Sequence, residues 1–387
     1  MPEAVIVDAV RTPIGRAFKG SLAGLRPDEM GAFVLDALME RNPGVDPALI
    51  EDVYCGVGLP QGLQGFNLAR IMVLLSDSLP QEVNGATISR YCASSLESIR
   101  QAANAVVAGQ GDAYIAAGVE WVSRYNESVE GARPQDRNEH LVGKDGDPDA
   151  YIAMGLTAEN VAERYEVSRA DMDKYAQRSQ ELAVASQENG YFDREIVPVT
   201  LPDGAVVSMD DGPRPSSTLE KLAELDPAFR EDGKITAGNS CPLNDGAAAV
   251  LVMSDSKADE LGLAPRARII TAATAANEPE YMGVAPIWAI RKVLERAGMT
   301  IDDVDTVELN EAFAAQVIPI MAECDIPLEK LNPHGGAIAL GHPFGMTGAR
   351  IMTTLLNGLE TDDRTIGLET MCVAGGQGQA MLVERLG

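Results

Sequence analysis

The sequence predicts an α/β protein made of two duplicated, βαβ-rich halves with a different kind of region inserted between them. Three observations carry this. The order of strand-like and helix-like stretches in the first 119 residues returns from residue 266 to the end. Ile301-Asp-Asp-Val echoes Ile50-Glu-Asp-Val at the same place in that order. Between the halves, residues 120–245 change character and become polar, looped and rich in turn residues. A chain of 387 residues is too long for one small core, so more than one domain is expected. The first half spans 1–119 and is completed by 246–265, the middle region spans 120–245, and the second half spans 266–387.

Taken in order, Val5 to Val10 is a run of apolar residues that reads as a buried strand, and Arg11-Thr-Pro-Ile-Gly15 reads as a turn. Pro27 and Asp28 open a helix whose Met30, Phe33, Val34, Ala37 and Leu38 share one stripe. Ile50 to Gly58 reads as a helix end running into a strand. After Cys92, the residues Leu96, Ile99, Ala103 and Val106 recur at helical spacing, and Asp112 to Gly118 is again strand-like. Arg124 to Asp149 is charged and rich in Gly and Pro, a loop. Thr157–Tyr165 and Arg169–Asn189 read as helices, with Ser168 and Asp171 as a capping pair for the second. Asp203-Gly204 and Asp211-Gly-Pro-Arg-Pro215 mark turns. This middle composition suits a lid or ligand-binding insertion rather than a core; a surface that mediates oligomer contacts is the alternative. The second half then runs through a strand from Arg268, a helix through Ile287, Ile290 and Leu294, the Ile301–Leu309 echo, a Gly-rich turn before a helix, and a strand at Thr365–Met371.

Composition removes several function classes. The formal charge is −27, which excludes non-specific nucleic-acid binding, a task that needs a basic face. It also means that an anionic ligand would have to find local basic groups within a repulsive field. No apolar run reaches the length of a membrane helix. Met-Pro-Glu leads directly into a strand with no basic, apolar leader, so a cytoplasmic location is expected. The five cysteines, Cys55, Cys92, Cys241, Cys324 and Cys372, are an odd number with no metal-ligand spacing, so free thiols are expected.

Four stretches carry chemistry. Asn332 to Arg350 places five glycines around His342, followed by Pro343. A histidine on a rigid Gly-rich turn suits acid–base work, although such a turn can also be a plain connection. In Ser89-Arg-Tyr-Cys92-Ala-Ser-Ser95, the thiol stands at the start of a helix, where free N–H groups and the helix dipole favour thiolate. Cys372 stands where a strand gives way to Val373-Ala-Gly-Gly-Gln-Gly378; there a thiol can exchange a proton with carbon or sulfur, or simply end a strand. Asn310, after Val307-Glu-Leu, offers an amide that can hold water or an oxyanion without changing charge, and it can equally cap the following helix.

Together, in their order along the chain (Cys92, Asn310, His342, Cys372), the four stretches resemble the thiolase family, in which two cysteines, a histidine and an asparagine make and break carbon–carbon bonds on coenzyme A thioesters. The resemblance runs from Val5 to the C-terminus. It implies a thiolase-like fold of duplicated α/β/α layered halves with an inserted loop domain. It implies Cys92 as nucleophile, His342 as its base, Cys372 as the second acid–base group and Asn310 as oxyanion support. Arg214, with Ser217 in the same Arg-Pro-Ser-Ser-Thr run, matches the family's contact to the nucleotide end of coenzyme A. Ala237 and Cys241, within Thr236–Gly246, match the run that passes the pantetheine arm, with Cys241 where a serine is common. Met154, Phe229, Met282, Ala312 and Phe313 match positions that line the acyl and pantetheine tunnel. Ala374 stands where a glycine commonly offers its N–H to the oxyanion; alanine keeps the N–H but does not take a positive φ cheaply. Ser95 replaces another common glycine. Ala153 stands where biosynthetic members usually carry histidine, which points to a degradative 3-ketoacyl-CoA thiolase. The alternatives are a biosynthetic acetyl-CoA C-acetyltransferase, a decarboxylating condensing enzyme and a non-catalytic acyl-CoA-binding relative. No cofactor is implied, since coenzyme A is a co-substrate. A homodimer or homotetramer is expected, with Ile88-Ser-Arg-Tyr91 as an edge strand that pairs across a two-fold axis. A hydratase–dehydrogenase partner is also compatible with a degradative role.

Overall fold

The computed structural model describes residues 2–125 and 137–387; residues 126–136 of the expected Arg124–Asp149 loop lie outside the described residues. The first half contains β1 (Ala4–Arg11), β2 (Gly15–Arg16), α1 (Pro27–Arg41), β3 (Ile50–Val57), α2 (Leu68–Leu75), β4 (Asn84–Ile88), α3 (Ser94–Val107) and β5 (Ala113–Trp121). The middle holds α4 (Met154–Arg164), α5 (Arg169–Glu188), the short β6 (Val199–Thr200) and β7 (Val206–Val207), and α6 (Leu219–Ala223). Next come β8 (Asn244–Ser254) and α7 (Asp255–Glu260). The second half contains β9 (Ala267–Ala276), α8 (Pro286–Ala297), β10 (Thr306–Leu309), α9 (Ala314–Glu323), α10 (Ala337–Leu340), α11 (Thr347–Thr361), β11 (Ile366–Val373) and β12 (Gln377–Arg385).

The duplication is visible in the sheet, whose strand order is β10-β11-β12-β9-β1-β8-β5-β3-β4. In the first half β1 pairs antiparallel with β8, β8 antiparallel with β5, and β5 parallel with β3. In the second half β9, β12, β11 and β10 repeat those pairings in turn. The halves meet where Val5 pairs with Arg268 and Ile6 with Ala267. The parallel outer strand β4 has only an isolated bridge as its counterpart, Val307 to Leu331 beside β10. The Ile301 echo is offset by a few residues. Ile50 opens β3 directly after a single 3-10 turn at Pro47–Leu49, so the expected helix end there is only that turn. Ile301–Asp303 is instead the 3-10 turn itself, closed by a Thr300–Asp303 capping box.

Alternation places the layers. Along β1, Ala4, Ile6 and Ala9 face one core, whereas Val5, Val7 and Val10 face another with α1. The first of these cores contains α3 and α11 together, from Leu96, Ile99 and Ala103 to Ile351, Leu355 and Leu359. A Cβ at Gly348 would collide with the backbone of Leu96, so glycine is what lets the two helices approach. From Thr347 to Leu359 every residue of α11 is buried, as a helix enclosed by other elements requires. Its buried hydroxyls are satisfied internally: Thr353 Oγ1 donates to Ala349 O at 2.7 Å. Because Cys92 lies in the turn that leads into α3 and His342 in the turn that leads into α11, this shared layer brings the two turns together.

The middle region does more than cover a site. Ala158, Val161 and Ala162 of α4 and Met172, Tyr175 and Ala176 of α5 belong to the core of the second half. Each fully buried large apolar side chain there stabilises the fold by about 1.5–3 kcal/mol, so these helices are integral to the fold, contrary to the lid expectation. Ser168 caps α5 as expected, accepting from Asp171 N–H. All five cysteines are free. Among the described residues, no helix is long and apolar enough to cross a membrane. The outermost strand is Asn84–Ile88, not Ile88–Tyr91; the chain leaves the sheet after Ile88 because Tyr91 turns to a φ of 44°.

Candidate active site

Cys92 sits in a single 3-10 turn, Tyr91–Ala93, that leads into α3. Ser94 pins the turn: its Oγ accepts from Arg90 N–H at 2.9 Å and donates to Tyr91 O at 2.6 Å. The left-handed Tyr91 immediately before the thiol is backbone strain held in place by these bonds. Burial pushes the Cys92 thiol well above its ordinary range, neighbouring Cys372 and Cys241 add to the rise, and a hydrogen bond from Ala374 N–H opposes it. The sequence expectation of a resting thiolate is therefore corrected. A helix N-terminus contributes about 0.3–1 kcal/mol, under one pKa unit, whereas full burial moves a group by up to 3–5. Burial thus favours the thiol form of Cys92 over the thiolate. The doubt over Ala374 also resolves: the left-handed positions are Gly375 (φ 78°) and Gly376 (φ 76°), and Ala374 carries no positive φ.

His342 is held on both nitrogens. Thr347 Oγ1 lies 2.7 Å from His342 Nδ1 and also donates to Pro343 O at 2.8 Å. With its proton committed to Pro343, Thr347 can only accept from Nδ1–H, which leaves the imidazole lone pair on Nε2. Asn310 Nδ2 lies 3.3 Å from that Nε2. His342 N–H donates to Asn244 Oδ1 at 3.0 Å, next to Gly341 at a φ of 115°. Burial, then the positive charge of Arg350, depresses His342 to about 3, so the imidazole is neutral at physiological pH and its lone pair unprotonated, while the same burial makes it a weak base in the resting site.

Asn310 leaves β10 with its N–H bonded to Thr370 O at 3.0 Å, and its Oδ1 is buried with no partner. Cys372 lies on β11, fully buried; burial pushes it up to about 11, and a hydrogen bond from Gln316 opposes the rise. The structure thus brings Cys92, Cys372, Cys241 and Ala374 together on one side, and Asn310 with His342 on the other, with Gln316 between.

Three supporting residues escaped the sequence reading. Gln316, in the first turn of α9, donates from Nε2 to Cys372 Sγ at 3.0 Å and reaches Asn310 O at 3.5 Å; its signal was a single polar residue in an apolar helix. Glu120, fully buried at the end of β5, accepts from Gly58 N–H (2.8 Å), Gln64 Nε2 (2.6 Å) and Gly345 N–H (2.7 Å). It ties the first half to the His342 turn, and burial raises it to about 7. Glu311 accepts from Tyr175 OH (2.8 Å), Ser179 Oγ (2.6 Å), Asn332 Nδ2 (2.8 Å) and Ile338 N–H (3.1 Å). It fastens the Asn310 shoulder to the Gly-rich stretch, and a Cβ at Gly336 would collide with its carboxylate.

The expected binding residues divide into two groups. Cys241 N–H donates to Ala312 O at 3.0 Å. Phe313 meets Phe229 edge-to-face at 6.0 Å, and the Phe229 ring lies against Gly155, next to half-buried Met154. Met282 is buried in the same core. Ala237 is exposed on its loop. Arg214 and Ser217 line a separate cleft of about 280 Å³ with Gln180, Glu181 and Glu188. Among the described residues no cluster of His, Cys, Asp and Glu could hold a metal ion.

Comparison with known proteins agrees with this arrangement. A family model for the N-terminal domain of thiolase matches residues 4–256, and one for the C-terminal domain matches residues 263–385. A beta-ketoadipyl-CoA thiolase of Acinetobacter baylyi is 43% identical over 403 residues, covering 100% of both chains. A 3-ketoacyl-CoA thiolase of Bacillus subtilis is 41% identical over 396 residues, covering 99% of this chain and 100% of its own. The dimeric peroxisomal thiolase of Saccharomyces cerevisiae superposes with a TM-score of 0.93 at 38% identity, over 100% of this chain and 98% of that one. An acetyl-CoA acetyltransferase of Bacillus anthracis superposes with a TM-score of 0.90 at 40% identity, over 100% and 99% of the two chains.

Proposed function

The chain belongs to the thiolase family, and from that premise we propose that it is an acyltransferase that cleaves 3-ketoacyl-CoA with coenzyme A. The observation that carries this reading is the pair of neighbouring buried thiols, Cys92 and Cys372, together with a buried histidine, His342, whose Nδ1 is engaged by Thr347 so that Nε2 carries the lone pair. His342 Nε2 takes the Cys92 proton as the sulfur attacks the C3 carbonyl. The C2–C3 bond breaks, its electron pair stays on C2 of the departing acetyl-CoA, and Cys372 protonates that carbon. The acyl group is left as a thioester on Cys92. Cys372, now a thiolate, deprotonates an incoming coenzyme A, whose sulfur displaces the acyl group, and Cys92 recovers its proton from His342. Every proton is carried by these three side chains, so the cycle calls for no metal or prosthetic group. The Ala374 N–H aimed at Cys92 and the Asn310 amide beside His342 are suited to stabilise the oxyanions. The free thiols fit a cytoplasmic enzyme.

The apolar surroundings of Met154, Phe229 and Phe313 favour an apolar acyl group, while relatives named for a dicarboxylic substrate stand at similar identity. Turnover should therefore be measured across 3-ketoacyl-CoA chain lengths together with a 3-oxo-dicarboxylyl-CoA. Loss of the keto substrate with growth of acetyl-CoA is expected for chains longer than four carbons. Activity confined to acetoacetyl-CoA would favour a biosynthetic enzyme, and no turnover with any member would sink the reading.

A homodimer belongs to the same proposal. No further strand covers β4; its edge meets the Asn67 side chain, whose Nδ2 donates to Gly85 O at 2.8 Å and whose Oδ1 accepts from Thr87 N–H at 3.0 Å, and Phe66 beside it is 93% exposed. An edge without a partner strand, beside an exposed aromatic, is a surface that a second copy would cover. Light scattering through an activity dilution series should give a dimer or larger at every active concentration; a fully active single chain would refute it.

A further inference from the structure

We propose that Gln316 is a positioning residue that serves Cys372 in both of its protonation states, so that one thiol can act as acid and then as base. The inference rests on the thiolase reading above. Gln316 is fully buried, and both ends of its amide reach one sulfur: Nε2 at 3.0 Å and Oε1 at 3.5 Å. A thiolate accepts from Nε2–H, and a thiol can donate to Oε1. Few side chains can serve both states; a carboxylate only accepts and an ammonium only donates. The proposed cycle demands this, because Cys372 gives its proton to C2 and then recovers one from coenzyme A.

The geometry also fixes the amide. Nε2 also reaches Asn310 O at 3.5 Å, and Gly283 leaves the side chain its place, since a Cβ there would stand 3.0 Å from Gln316 Cβ. Gln316 thus links the Cys372 sulfur to the backbone of Asn310, whose side chain touches His342. Among the described residues Gln316 is the side chain that hydrogen-bonds Cys372, and burial alone would hold the sulfur as a thiol.

The test separates the two thiols. Exchange of the C2 hydrogens of acetyl-CoA in D2O reports proton abstraction by Cys372, and alkylation by iodoacetamide, located by peptide mass, reports Cys92. Gln316→Met keeps the volume and removes the amide. Exchange is expected to fall about 10–100-fold, the worth of one hydrogen bond to a charged group, and its pH dependence to move upward by about one to two pH units. Cys92 alkylation should stay within about twofold of the unsubstituted chain. Gln316→Glu keeps the shape but places an acceptor-only group against the sulfur; exchange near pH 8 should fall below that of Gln316→Met. If Gln316→Met fails to fold, Gln316→Glu decides alone. Unchanged exchange and pH profile in a folded variant overturn the inference, as does an equal loss of Cys92 alkylation, which would mark a merely structural role. If the unsubstituted chain neither exchanges C2 hydrogens nor cleaves any 3-ketoacyl-CoA, the thiolase reading itself fails and the inference falls with it.

Discussion

Cys92→Ala is expected to lower thiolytic turnover by roughly ten-thousand- to a million-fold, the scale on which enzymes lose rate when their nucleophile is removed. The reason lies in the geometry. The two other thiols near Cys92 cannot replace it: Cys372 is fully buried on β11, and Cys241 is bound through its backbone to Ala312. Neither stands at the head of α3 beneath the Ala374 N–H. Intact-mass measurement after mixing with a 3-ketoacyl-CoA should show one acyl adduct on the unsubstituted chain and none on the variant. Fold should survive, because alanine fills nearly the same space and Cys92 makes no structural side-chain bond beyond the Ala374 contact. Thermal unfolding should therefore change little, by about 1 kcal/mol or less. An adduct that persists in Cys92→Ala, or turnover within tenfold of normal, would remove Cys92 from the role of nucleophile.

Much of the site was legible because function imposed odd residues on ordinary elements. Five glycines around one histidine, a cysteine at a helix start and a cysteine at a strand end are local patterns that a sequence displays directly. The doubled architecture was legible for a similar reason: periodicity in β1, α1 and β5 returned in β9, α8 and β11. Three things were hidden, each by long-range packing. The protonation state of Cys92 depends on burial by segments far along the chain, which outweighs the local helix effect. Glu120 and Glu311 gain their roles only when Gly345 and Ile338, over 200 and 27 residues away, fold against them. The middle helices looked peripheral because α5 is polar in composition, yet its buried face, with Met172, Tyr175 and Ala176, completes the second core. The concern over Ala374 came from judging one residue by its type, when the left-handed turns fall on the next two glycines.

His342→Gln is expected to slow acylation of Cys92 by about a hundred- to ten-thousandfold, the usual contribution of a positioned general base. Its pH dependence is the sharper readout. Because burial and Arg350 hold His342 near 3, the native enzyme keeps a neutral imidazole, its lone pair unprotonated, down to that pH. Its acid-side loss of kcat/KM should therefore be absent at the ordinary histidine value of 6.5. On the proposed mechanism Cys92, whose thiol is raised well above 9.0, reacts in the native enzyme through this base rather than through free thiolate. In the variant only free thiolate remains, so the rate should climb steadily with pH, and the ratio of native to variant rates should be largest at low pH and narrow in the alkaline range. Stability must be followed in parallel, with the sign worked out. Folded His342 stays neutral while the unfolded imidazole takes up a proton below 6.5, so stability from this group is present above 6.5 and is lost as pH falls toward 3. Circular dichroism at each pH separates that loss from the loss of a base. Native-like rates with a native-like pH profile in a folded His342→Gln chain would show that another group deprotonates Cys92. The only other histidines exclude themselves: His140 is exposed, and His334 stacks on Tyr191 at 3.7 Å.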